Sequence, residues 1–446
     1  MGTPAMKTQT FHLLLLLLLL RRADGAPPGC DNAFGPGGGG ALRIMHIFHP
    51  CSPFRPPTPL SWEESVLRMQ ADDAARLQLL SALVATHRAV VPIAPGQLLI
   101  QRPNYIVRAP FGTPSQAMYV AIDTGNDVSW IPCSGCVGCS GPTAFAPRRS
   151  ATFHRLSCRA PQCKLVPNFA CGGGGGGACA YNFTYGRSNI STTMSEDTLA
   201  LAGDRVAGFK FGCVERATGS SVLPQGLLGM GRGPLSVLSQ THDLYTSVFS
   251  YCLPSFKSLN FTGTLRLGPK FQPVRIHTTP LLRSLRRPSL YYVELLAIRV
   301  GRRVADIPPG ALAFNAATGA GTVFDSGTVF TRLVKPAYVA VRDSFRARVG
   351  KGRTVASLGG FDTCYAGPVA APTITFMFRG MNLTLPPENL LIHSSAGSTA
   401  CLAMAASPDD GYNSALNVIA NMQQQNHRVL YDGAASRLGV SREFCS

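Results

Sequence analysis

Met118-Tyr119-Val120-Ala121-Ile122-Asp123-Thr124-Gly125 returns, about two hundred residues later, as Gly321-Thr322-Val323-Phe324-Asp325-Ser326-Gly327. In each stretch an apolar run of strand length ends in Asp, and a small hydroxyl residue follows. Gly then permits a tight turn that aims the carboxylate outward. One Asp-Thr/Ser-Gly is a common accident. Two of them, equally framed and far apart, point to a pair of facing carboxylates.

The chain of 446 residues has room for two or three domains, each with its own core. Hydrophobic residues make up 45% and charged residues 14%, which marks a packed globular protein. With 46 Gly and 34 Pro, many short strands and turns are expected rather than long helices. The net charge is +18, and residues 101–446 hold 33 basic against 17 acidic side chains, an excess of +16. A polyanion such as acidic cell-wall polysaccharide is a candidate partner. The arginines are scattered, with small clusters at Arg148-Arg149, Arg286-Arg287 and Arg299 with Arg302-Arg303. No zinc finger or recognition helix accompanies them, so specific nucleic-acid binding is not expected.

The start reads as a secretory signal over 1–26: Lys7, an apolar block from Phe11 to Leu20, then small residues at Ala23, Gly25 and Ala26. That block is too short to span a bilayer, and no later stretch reads as a transmembrane helix. Residues 27–100 read as a propeptide or flexible segment, with 27–60, rich in Gly and Pro, expected to lack a fixed fold. From Trp62 to His87 apolar residues recur at helical spacing, and Ser61 with Glu63 and Glu64 supplies a cap and an acidic first turn. Maturation is expected near 88–103. Strand signals follow at 104–107, 119–122, 205–212, 292–300 and 372–378, with helical periodicity near 235–238 and over 335–349. The run Gly172 to Gly177 reads as an exposed loop and lacks phosphate-cradle spacing.

Fourteen cysteines suit an oxidising compartment. Zinc at Cys133, Cys136 and Cys139, with Cys158, Cys163, Cys171 and Cys179 as further ligands, is the competing reading. Disulfides account for the same spacing in a secreted chain, and no metal or cofactor is expected. Sequons at Asn182, Asn189, Asn260 and Asn382 are usable as glycosylation sites only on the secretory route. His-Glu-x-x-His is absent, and Ser326 lacks a nucleophile-elbow frame, which disfavours metalloprotease and serine-hydrolase chemistry. Asp127, Asp197 and His427 read as structural.

With the two acidic turns in place, the chain resembles the pepsin-like aspartic proteases, and within them the plant nepenthesin-like group. Its nearest likeness is to the plant extracellular-space and chloroplast-nucleoid aspartyl proteases. The resemblance runs from about Asn104 to Cys445. It rests on Asp123 to Trp130, the cysteines after Trp130, Gly226 to Gly233, Asp325 to Thr328, and Asn417 to Asp432.

That resemblance implies a mostly β, bilobal fold with a cleft between an N-terminal lobe (101–275, with a cysteine-rich insertion) and a C-terminal lobe (276–446). One catalytic Asp would come from each lobe, Asp123 and Asp325. Thr124 and Ser326 would tie the turns together, Gly125 and Gly327 would supply backbone donors, and Asn126 and Thr328 would contact the outer carboxylate oxygens. Tyr185 would sit on a flap against Trp130. Disulfides Cys364–Cys401 and Cys252–Cys445 are expected. Three departures stand out: Asn126 where Ser or Thr is usual, Ala420 where Gly is usual, and a flap that continues Arg187-Ser188-Asn189. Ala420 leads to the expectation of a shifted loop.

The expected activity is an extracellular endopeptidase, acting as a monomer on protein or peptide at acidic pH. Two close carboxylates would share one proton, so that one activates water while the other protonates the carbonyl. The alternatives are a catalytically weak binding protein using the same cleft, and a nucleic-acid-associated protease of plastids. A vacuolar location is a further alternative.

Overall fold

The computed structural model describes residue 30, residues 41–46, 51–52 and 61–73 without 68 and 72, and most of 104–445. The residues left out of that body are 140–143, 172–176, 220–221, 224, 256–262, 271, 351–352, 394–397 and 409–414. The signal, the maturation junction, Asn260 and all but the end of the glycine run therefore lie outside the described residues. Among those described, no helix is long and apolar enough to cross a membrane.

Strand patterning builds the N-terminal lobe. Tyr105–Phe111 and Gln116–Asp123 form an antiparallel hairpin, and in the second strand Met118, Val120 and Ile122 turn into the core. Leu227–Gly229 then lies parallel to Gln116–Asp123 and brings Gly229 level with Asp123. The C-terminal lobe repeats the device. Gly321–Asp325, buried throughout, runs parallel to Leu416–Ala420 with Asp325 level with Ala420. A strand buried on both faces needs an unbroken apolar run, which Thr322-Val323-Phe324 largely supplies.

The two crossings are sterically unequal. A Cβ on Gly229 would stand 2.1 Å from the backbone oxygen of Asp127. Ala420 has an ordinary extended backbone (φ −91°, ψ 170°), its side chain is buried, and pairing continues in register through it. The expected loop shift is thus replaced by a methyl that the second lobe accommodates. Gly229→Ala is expected to cost about 3 kcal/mol and to lower activity by pushing the Asp127 backbone away. Ala420→Gly should cost no more than about 1 kcal/mol. Urea midpoints of both variants check the contrast.

A third sheet joins the lobes. Val248–Cys252 pairs with Gly263–Leu267 and with His427–Asp432; the latter pairs with Arg437–Arg442, and that strand with His277–Leu282. From its strands come the rings of Phe249 and Tyr431, which pack with Tyr291, with centroids 4.5 Å apart for both Phe249–Tyr431 and Tyr291–Tyr431.

The N-terminal segment departs from expectation. Ala41–His46 is a strand, paired through Ala41 to Ile44 with Gly263–Leu267 and through Met45 and His46 with Tyr105–Phe111. Cys30 and Cys51 form a disulfide around it. The helix beginning at residue 62 has its capping box, with Ser61 N–H donating to Glu64 and Glu64 N–H to Ser61 Oγ. Val66 and Met69 pack with Val329, Phe330 and Phe361 of the C-terminal lobe. Pairing with distant strands, rather than local propensity, orders 41–46.

The cysteines of the insertion pair as Cys133–Cys213, Cys136–Cys139, Cys158–Cys171 and Cys163–Cys179, which leaves no thiolates for the zinc reading. Cys252–Cys445 and Cys364–Cys401 are joined as expected. The helix Lys335–Val349 is present over the expected residues.

Candidate active site

Asp123 and Asp325 end their buried strands and are themselves 0% and 1% exposed. The turns that follow hold one another by reciprocal hydrogen bonds. Thr124 N–H donates to Ser326 Oγ at 3.1 Å, and Ser326 N–H donates to Thr124 Oγ1 at 2.9 Å. Each hydroxyl then donates across the pseudo-twofold, Ser326 Oγ to the Ile122 carbonyl at 3.2 Å and Thr124 Oγ1 to the Phe324 carbonyl at 3.5 Å. A short hydroxyl side chain is required here, because it must accept from one backbone group and donate to another.

Each carboxylate is oriented by its own turn. Asp123 accepts from Gly125 N–H at 2.8 Å and from Asn126 Nδ2 at 2.7 Å. Asp325 accepts from Gly327 N–H at 3.1 Å and from Thr328 Oγ1 at 2.6 Å. The amide of Asn126 therefore fills the role that the Thr328 hydroxyl plays on the other side. The turns meet closely: a Cβ on Gly327 would lie 2.7 Å from Asp123 Oδ1. Only glycine at 327 leaves that carboxylate its space.

The strands Cys179–Tyr185 and Ser188–Leu201 form a hairpin over this centre. Tyr185 stands with its ring 5.6 Å from that of buried Trp130 and donates its hydroxyl to Asp123 Oδ2 at 3.3 Å. The structure thus brings the flap, Trp130 and the first acid together. Asn182, Asn189 and Asn382 are exposed, the first two on this hairpin. Beside the first turn lies an apolar pocket of about 300 Å³, lined by Trp130, Phe183, Leu235 and Leu290 together with Arg286.

Two features, at Gln424 and Asp73, escaped the sequence reading, and Asp127, read as structural, bridges to a distant segment. Gln424 donates to the Asp325 carbonyl at 3.4 Å and to that of Ile419 at 2.7 Å, and it accepts from the Tyr251 hydroxyl, so a buried polar chain supports the second turn. Asp127 reaches Ser289 of the other lobe and accepts from Gly233 N–H at 2.8 Å; burial raises its pKa. Asp73, 1% exposed, accepts from Val329 and Phe330 N–H, both at 2.5 Å, just beyond the second turn. Val66, Met69 and Asp73 share one helix face, so an acid on an apolar stripe was the available signal for the last. Asp197 is structural, accepting from Thr152 Oγ1 and Thr198 N–H.

Residues 105–269 match the family described as Xylanase inhibitor N-terminal, and 290–442 the Xylanase inhibitor C-terminal family. Among curated proteins, the chain is 45% identical to Aspartyl protease AED3 of Arabidopsis thaliana, with 98% of each chain covered. It is 44% identical to Aspartyl protease 25 of Oryza sativa subsp. japonica over 91% of this chain and 94% of that one. With aspartic proteinase nepenthesin-1 of Nepenthes gracilis the identity is 33%, over 77% and 78%. Basic 7S globulin from soybean shares the fold with a TM-score of 0.61 at 20% identity, covering 76% of this chain and 93% of that one. Two lobes, two matched acid turns and these relatives agree: the chain belongs to the pepsin-like aspartic proteases, alongside the plant secreted and nepenthesin-type enzymes.

Proposed function

We propose that Asp123 and Asp325 are the acid–base pair of this extracellular aspartic endopeptidase. In the reaction one carboxylate takes a proton from water, which attacks the peptide carbonyl, while the other carboxyl protonates the carbonyl oxygen. Proton ownership then reverses as the tetrahedral species collapses and the amine leaves. Gly125, Asn126, Gly327 and Thr328 orient the carboxylates, and Thr124 with Ser326 fixes their relation. Tyr185 closes over the substrate and helps exclude water. The observation that carries this reading is the reciprocal Thr124–Ser326 bonding, which locks two acid turns from different lobes face to face.

Substrates are protein or peptide, cut by a monomer, and the apolar pocket beside the first turn favours a bulky hydrophobic side chain near the scissile bond. Residues 27–100 act as a removable segment: Asp73 and Met69 hold it against the C-terminal lobe next to the second turn. Arg299, Arg302 and Arg303, exposed on one hairpin, are the candidate contact for acidic wall polysaccharide.

Digestion of an unfolded protein by the processed enzyme between about pH 3 and pH 7, with products sequenced by mass spectrometry, tests the reading. Acid-dependent cleavage beside bulky apolar residues, blocked by a mimic carrying a secondary hydroxyl, is expected. Tight binding of that mimic with no product would replace the protease with a binding protein.

A further inference from the structure

The flap hairpin has two chemically different faces. Tyr185 and Ile190 are buried beneath it, and Phe183 lies half-buried with its ring 6.0 Å from Trp130. On the opposite face Asn182, Thr184 and Asn189 are exposed, with Ser191 beside them half-buried. These four are the asparagines and hydroxyl residues of two sequons, Asn182-Phe183-Thr184 and Asn189-Ile190-Ser191. Register explains why they gather. Asn182 is opposite Ser191 and Thr184 opposite Asn189, so strand alternation puts all four on one side. Thr184 Oγ1 donates to Asn189 Oδ1 at 3.1 Å, so the two acceptor motifs touch.

We infer that the back of the flap is a glycan-bearing surface, modified at both Asn182 and Asn189. This rests on the reading of Tyr185 as a flap residue and on the extracellular location. In the transfer, Asn Nδ2 forms a bond to the anomeric carbon of a lipid-diphosphate-linked oligosaccharide. The anomeric C–O bond to the diphosphate breaks, the lipid diphosphate leaves, and the amide proton passes to solvent. Diagonal neighbours on adjacent strands stand about 7–8 Å apart, so the two glycans crowd one another above the lid. Their bulk lies outside the cleft. A short peptide enters beneath it, whereas a large protein chain must approach past it. The glycans therefore select for short substrates without touching the acids.

The test uses the protein secreted from a eukaryotic host. Enzymatic release of N-glycans in heavy-oxygen water converts each modified Asn to labelled Asp, and labelled Asp at both 182 and 189 is the expected result. Unlabelled Asn at either position overturns double modification. Asn182→Gln with Asn189→Gln should raise turnover of a large unfolded protein severalfold and leave that of a short peptide unchanged. Asn182→Gln with Ser191→Ala, which removes both sequons but keeps Asn189 and its bond from Thr184, should do the same, as should glycosidase treatment of the folded wild type if the variants are not secreted. An unchanged protein-to-peptide ratio overturns the selecting role. Loss of all peptide turnover in the wild type would defeat the acid–base assignment instead, and the mass label stands apart from that outcome.

Discussion

Asp325→Asn is expected to abolish peptide hydrolysis while the folded state survives. Each general acid or base contributes roughly 10²–10⁴-fold to rate, and in the proposed reaction one group serves in both capacities during a turnover. Losses in kcat are therefore expected at or above the upper end of that range, with little change in KM. The fold should tolerate the change for a specific reason. An Asn at 325 keeps an oxygen for the Gly327 N–H, and its amide nitrogen can donate to Thr328 Oγ1, whose hydroxyl accepts as readily as it donates. Asp123→Asn meets a harder environment. Its amide nitrogen would face the Nδ2 of Asn126, which now donates to Asp123 Oδ2, and Asn126 must turn its amide over to present oxygen. Both variants should be inactive, with Asp123→Asn the less stable by about 1 kcal/mol. Turnover and urea midpoints measured together check this. Residual cleavage within tenfold of wild type by either variant would remove that acid from the mechanism.

The candidate site was legible in the sequence because its geometry is local. A carboxylate ending a buried strand and followed by a hydroxyl residue and Gly is written in consecutive residues, and the second copy sets the partner. The Lys335–Val349 helix was readable for a similar reason, since Tyr338, Val341 and Phe345 repeat at helical spacing. What supports the centre was not. Gln424, Tyr251 and Tyr431 form one buried polar and aromatic unit only because strands remote in sequence pair beneath the turns. Ala41–His46 sits beside a glycine-rich stretch that composition alone places outside any fold. Its order comes from partners at 105–106 and 263–266. Ala420 shows the limit of reasoning by substitution. Whether a methyl fits depends on what faces it, and that differs between two strands with the same role.

His427 sets an acid limit on the stability of the same enzyme. The residue is 3% exposed, and its Nδ1 lies 2.8 Å from the Gln425 carbonyl. A carbonyl oxygen only accepts, so the neutral ring carries its hydrogen on Nδ1. Burial, reinforced by the cation of Arg442 and opposed by the Gln425 bond and Glu388, lowers its pKa to about 4. The folded ring thus resists a proton that an unfolded histidine takes near pH 6.5. Between those values the unfolded chain binds more protons, so stability rises with pH; it is complete above about pH 6.5 and is lost on acidification toward pH 4. A gap of that size amounts to about 3 kcal/mol. Carboxylates with lowered pKa, Glu388 and Glu443 among them, weaken the fold only at lower pH, which leaves the upper part of the window to histidine. His427→Asn places an amide nitrogen near Nδ1 for the Gln425 carbonyl and removes the titration. Its urea midpoints, followed across the window, should stay level where the wild type declines, and parallel declines would show that another group is responsible. The strand that carries His427 also carries Tyr431, which lies against Thr124 and Asp325, so this loss of stability acts on the proposed catalytic centre.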